Sequence, residues 1–151
     1  MFSMNVKKIL QDNDITPTLQ RIVILNYLMS SSKHPTADQI FNDINQDQNV
    51  TISKATVYNT LNYFIEKNLV IKVMTSKCTQ PHYDYFLKPH FHLICSKCGK
   101  IIDANYDNFN NDLNHMVLEA QKNEFKVSNE SINLYGVCKT CLENDEEDSD
   151  N

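Results

Sequence analysis

Residues 90–103 read HFHLICSKCGKIID, and residues 132–141 read INLYGVCKTC. They hold two matched CxxC pairs, Cys95 with Cys98 and Cys138 with Cys141. Two residues between cysteines let both sulfurs reach one ion from a tight turn, so two such turns supply the four thiolates of a closed tetrahedral zinc site. A thioredoxin-like redox motif would lead into the helix of a βαβ unit, whereas each pair here ends a strand-like run. A closed site holds structure and offers no coordination position to a substrate. The strand-like runs 91–95, 100–103, 125–127 and 132–137, with an apolar helical stripe over 107–123, predict a small zinc-clamped α+β domain.

His90 and His92 flank Phe91 at the head of the first run. Residues i and i+2 of a strand face the same side, so both imidazoles can meet one ion while Phe91 packs the other way. Alone, two such histidines are ordinary. Asp84 in the preceding strand, Asp103 in the following one and His34 at a helix start make the pattern stronger. Three imidazoles and two carboxylates form a mixed N/O set that suits Fe(II) or Mn(II), with Zn(II) also possible. A site that joins His34 to His90 and His92 would make the angle between two domains depend on metal.

Upstream, the chain is helical in pattern. Helices are expected over 5–14, from Pro17 through Ser30, from His34 through Ile44, and from an N-cap at Ser53. In the last, Val57, Leu61, Phe64 and Ile65 form an inward stripe, while Thr56, Tyr58, Asn59 and Asn62 fall mostly on the other face. Helix, turn and a helix with a polar-aromatic outer face is a helix-turn-helix pattern, although a plainly solvated helix face would look similar. Tyr58, Asn59 and Asn62 suit base or sugar contacts, and Arg21, Lys54 and Lys67 suit phosphate contacts. Runs 70–73 and 82–86 read as a β-wing, and the first domain is expected to end near Lys88-Pro89.

The net charge of −5 argues against a nucleic-acid partner, but six of the 19 acids lie between Glu143 and Asn151. That segment reads as a solvated, disordered tail. No apolar run approaches the ~20 residues of a membrane span, and no secretory signal is evident. Five cysteines without a signal point to a reducing, cytoplasmic setting. Cys78 reads as a free thiol and His82 as an exposed wing residue.

The segments Thr16–Arg21, His34–Ile40, Ala55–Leu61, His90–Cys95 and Leu134–Cys138 together resemble the ferric uptake regulator family, over roughly residues 5–142. The resemblance implies a winged-helix DNA-binding domain (1–88) and a C-terminal dimerisation domain (89–142), while the acidic tail (143–151) is not part of the family pattern. It implies a metal-dependent repressor that binds a palindromic double-stranded operator as a homodimer. It places structural zinc on Cys95, Cys98, Cys138 and Cys141, and a regulatory metal on His34, Asp84, His90, His92 and Asp103. Asn59 after Tyr58, and aspartates rather than glutamates at 84 and 103, make the chain most similar to the family's peroxide-responsive branch. There, bound Fe(II) reacts with peroxide and a ligand histidine is oxidised, here His34 or His90, whereas Mn(II) supports DNA binding without that oxidation. Pro89, Phe91 and the absence of histidine at 128–130 imply that a further metal site found in many iron- and zinc-uptake members is missing.

The alternative on the same fold is a regulator of iron, manganese or zinc uptake without peroxide sensing. A metalloenzyme is disfavoured. Five protein ligands leave little room for substrate, and no extra general acid or base is evident.

Overall fold

The computed structural model describes residues 4–31, 34–47, 49–75, 79–85 and 89–149. The chain divides into two compact units, Met1–Met74 with Thr79–Leu87, and Thr75–Cys78 with Lys88–Asn151. No helix among the described residues is long and apolar enough to cross a membrane.

The first unit contains α1 (Met4–Asp12), α2 (Leu19–Ser30), α3 (Ala37–Gln46), α4 (Lys54–Glu66), β1 (Val70–Val73) and β2 (His82–Tyr85). Short polar caps set the helix starts. Thr18 Oγ1 accepts from Arg21 N–H, and Ser53 Oγ accepts from Thr56 N–H. Thr36 and Gln39 form a full capping box, with bonds of 3.2 and 2.9 Å. Pro17 therefore precedes the Thr18 cap instead of sitting inside the first turn. With only two glycines in the chain, the helix exits use other residues. Asp14, Asn68 and Glu124 take positive φ at the ends of their helices, and the next residue's N–H returns to the helix each time.

The core joins Val6 and Leu10 of α1 to Ile22, Ile24, Leu25 and Leu28 of α2, Ile40 and Ile44 of α3, and Val57, Leu61 and Phe64 of α4. Leu19 shares the helical spacing of Ile22, Val23, Leu25 and Leu28, yet it is 54% exposed, while Ile24 is fully buried. Helix α2 lies at the centre of the bundle and buries four consecutive residues, Ile22–Leu25, so a one-sided stripe is the wrong template for it. Strands β1 and β2 pair antiparallel, Val70 opposite Tyr85 and Val73 opposite His82.

The second unit contains β3 (Phe91–Cys95), β4 (Ile101–Ala104), α5 (Phe109–Lys122), β5 (Asn133–Gly136) and α6 (Lys139–Ser149). The sheet order is β4-β3-β5. Strands β3 and β4 are antiparallel neighbours that turn through Cys95–Gly99, where Gly99 has φ 79°. Strands β3 and β5 are parallel, which requires a crossover, and α5 lies within it. The expected strand over 125–127 does not form, because no described strand pairs with it, and Phe125 is 64% exposed.

The acidic end also departs from expectation. Residues 143–149 continue α6 instead of being disordered. Lys139 reaches Glu143 one turn on at 3.8 Å, and Lys97 pairs with Asp145. These contacts anchor a helix whose C-terminal acids oppose its own dipole. Asp150 and Asn151 lie outside the described residues, as does Cys78.

Candidate metal centres and nucleic-acid interface

Parallel pairing of Cys95 with Gly136 brings the ends of β3 and β5 side by side, and with them both CxxC turns. The Sγ atoms of Cys95 and Cys141 lie 3.9 Å apart and those of Cys98 and Cys138 3.8 Å apart. A regular ZnS4 tetrahedron with bonds of about 2.3 Å has edges of about 3.8 Å, so these two pairs have the spacing of zinc ligands, and all four sulfurs lie within 4.8 Å of one another. Cys95 Sγ accepts backbone N–H bonds from Cys138 at 3.3 Å and Cys98 at 3.5 Å. Those donors lower its pKa to about 6. Cys141 is pushed up to about 12, chiefly by its hydrogen bond with the Cys138 side chain. Zinc would hold all four as thiolates.

The register of β3 and β4 sets His92 opposite Asp103. His90 Nε2 and His92 Nε2 lie 3.2 Å apart. Asp103 Oδ1 lies 3.5 Å from the first and 3.3 Å from the second. Adjacent donors around an ion with bonds of about 2.1–2.3 Å stand roughly 3.0–3.6 Å apart. These three atoms therefore have the spacing of neighbouring ligands on one face of a coordination sphere. Phe91 turns to the other side of the strand and packs on Phe109, ring centroids 5.4 Å apart. His92 is buried, while the Asp103 side chain is 48% exposed.

In the first unit, His34 Nε2 lies 3.7 Å from Asp84 Oδ2. His34 has φ 48°, a left-handed backbone that costs an L-residue about 1–2 kcal/mol and persists only where its surroundings hold it. The hold comes from β2. Tyr83 N–H donates to Pro35 O at 2.9 Å, Thr36 bridges to His82, and His82 Nδ1 lies 2.6 Å from His34 O. His82 is thus half-buried and bonded, not the exposed wing residue expected. The i, i+2 rule applied to His90 and His92 also pairs His82 with Asp84, and that signal was available in the sequence.

Helix α4 presents Tyr58, Asn59 and Asn62 to solvent, with Thr56 half-buried. Two of the expected phosphate contacts are engaged inside the unit. Arg21 donates to Thr16 O at 2.8 Å and stacks over Tyr63 at 4.6 Å. Lys54 pairs with Asp38 at 3.3 Å. Asp38 also accepts from Gln80 Nε2 at 2.9 Å, and this bond, followed by the Lys54 contact, lowers its pKa. Neither Gln80 nor Asp38 carries a sequence signal that singles it out.

The second unit leaves a broad apolar face uncovered. Ile102, Leu134, Tyr135 and Val137 are exposed, and with Leu93 they line an open cavity over the sheet.

The sequence model of the ferric uptake regulator family matches residues 12–135. The chain is 41% identical over 128 residues to the peroxide-responsive repressor PerR of Staphylococcus aureus (strain USA300), covering 84% of this chain and 81% of that protein. It is 38% identical over 132 residues to the peroxide operon regulator of Bacillus subtilis (strain 168), covering 87% and 88%. Among solved structures, the Campylobacter jejuni peroxide stress regulator superposes with a TM-score of 0.66 at 28% identity, covering 91% of this chain and 96% of that one.

Proposed function

This chain belongs to the ferric uptake regulator family, and we propose that it is a metal-dependent, DNA-binding repressor that responds to peroxide. The observation that carries the metal assignment is the His90, His92 and Asp103 triangle, with edges of 3.2–3.5 Å, standing apart from a separate closed thiolate set.

We assign the four cysteines to structural zinc and the His34, Asp84, His90, His92 and Asp103 set to one regulatory ion, iron or manganese. The support is chemical. Three donors in one unit and two in the other each leave a hard divalent ion short of ligands, and together they suffice. Iron(II), when bound, would supply the one-electron chemistry that cleaves peroxide; in the net reaction peroxide is the two-electron oxidant, one of its oxygens is inserted into a ring C–H bond of a ligand imidazole, and the other leaves as water. His34 and His90 are the imidazoles we assign to that modification. Of the two rings in the second unit, His90 is the more open, its side chain 14% exposed against 1% for His92, and in the first unit the ring of His34 stands beside Asp84. An oxidised ring is a poorer ligand, so metal is lost, the constraint between the units is released and DNA dissociates.

On this account Tyr58, Asn59, Asn62 and Thr56 face the operator. Arg21 and Lys54 serve in part as internal struts, because both cations already have partners. A second copy covers the apolar face around Leu134 and Tyr135, and β5 lies at the sheet edge beside it. The resulting two-fold dimer would read a palindromic site in a cytoplasmic setting.

Asp103 provides the test within the site. Asp103→Glu adds a methylene to a carboxylate whose oxygen sits 3.3–3.5 Å from both imidazoles, so it changes the metal geometry without removing a ligand. After iron loading and peroxide treatment, peptide mass spectrometry of the wild type should find one added oxygen on His34 or His90. The Asp103→Glu protein should carry about tenfold less, with manganese-dependent DNA binding retained. Equal oxidation in the two proteins would remove Asp103 from the sensing chemistry.

A further inference from the structure

We propose that His82 is a positioning residue for His34, holding that ligand in the conformation that binds the regulatory metal. The proposal rests on the assignment of His34 and Asp84 to that metal.

His82 Nδ1 lies 2.6 Å from the carbonyl oxygen of His34. A carbonyl only accepts, so the proton of this bond sits on Nδ1, which fixes the tautomer of a neutral His82 ring. The bond is made at a residue whose φ of 48° is disfavoured for histidine. It has direct backing from the next peptide, where Pro35 O accepts from Tyr83 N–H at 2.9 Å. Successive carbonyls of the ligand loop are therefore held by successive residues of β2.

The same strand carries Asp84, two residues beyond His82 and on the same face. Asp84 Oδ2 stands 3.7 Å from His34 Nε2. One short strand thus presents one ligand and clamps the backbone of another, so His82 sets the distance between them. If the clamp is removed, nothing from the His82 side chain opposes relaxation of His34 toward an ordinary backbone, and its ring moves off Asp84. Outer groups that orient a metal-binding histidine commonly contribute 10–100-fold in affinity. The clamp acts on the backbone of the ligand and not on its ring.

The test compares two amides of similar polarity in the full-length, zinc-loaded protein. Asparagine places its NH2 group near the position of Nδ1, and glutamine places it near that of Nε2. Manganese(II) binding is measured by electron paramagnetic resonance titration, and the division of added oxygen between the His34 and His90 peptides is read after iron and peroxide. His82→Gln should weaken manganese binding about 10–100-fold and move the added oxygen away from His34. His82→Asn should stay within about threefold of wild type on the same scale. Equal behaviour of the two variants on both readouts would overturn the positioning role. His34→Ala, run in parallel, separates the layers. If it leaves manganese affinity unchanged, the ligand assignment itself fails. If it weakens binding while His82→Gln does not, only the clamp fails.

Discussion

Replacement of Cys95 by Ser should strip the zinc and unfold the second unit while the first stays folded. The reason lies in the difference between the two cores. The first unit buries a single cluster running from Val6 to Tyr83. The second buries only Ile94, Cys95, Phe109 and Leu113 among its described apolar residues. So small a core does not hold a domain unaided. A structural zinc contributes about 10–16 kcal/mol, more than the whole stability of most domains. Cys95 matters most among the four because it ends β3 and accepts N–H bonds from both turns. The expected outcome is zinc content near zero, loss of sheet signal from the second unit, a monomer in sedimentation and one surviving thermal transition. A dimer of normal content and stability without zinc would show that packing, not metal, holds this unit.

The second large effect is expected at His92. This ring is 1% exposed and is the member of the triangle fixed by strand register, opposite Asp103. His92→Asn keeps a polar group of smaller size but withdraws the nitrogen from its place 3.2 Å from His90 Nε2. Manganese affinity should fall by more than about 100-fold, beyond the range typical of an orienting residue. Metal-dependent DNA binding should disappear with it, while zinc and the dimer remain. Retained manganese affinity would move the regulatory site away from this triangle. Measuring both metals on one sample separates the two sites, since Cys95→Ser removes zinc and His92→Asn does not.

Much of this molecule is legible in its sequence because local chemistry decides it. Ser53 marks a helix start through a bond that its own side chain makes. The i, i+2 period of a strand pairs His90 with His92, and the CxxC spacing gathers four sulfurs. What escapes is whatever depends on a distant partner. Leu19 has the right period for burial, yet the bundle turns it outward. Residues 125–127 have strand composition and no described neighbour to pair with. The acidic run after Cys141 looks like a solvated tail because the cation that meets Asp145 is Lys97, more than forty residues earlier. His82 reads as an exposed wing residue for the same reason: its hydrogen-bond partner is a backbone carbonyl 48 positions away, and the i, i+2 period marks only that it shares a strand face with Asp84.

The central claim is that this repressor senses peroxide through iron at the His/Asp set, with zinc as fixed scaffold. A gel shift on an operator fragment, with the zinc-loaded dimer carrying either Fe(II) or Mn(II) and with peroxide added to each, tests it most directly. The iron form should lose DNA and the manganese form should keep it. Equal resistance of both forms would contradict peroxide sensing and leave a metal-uptake regulator on the same fold. Equal loss from both would place the sensitive group outside the regulatory site.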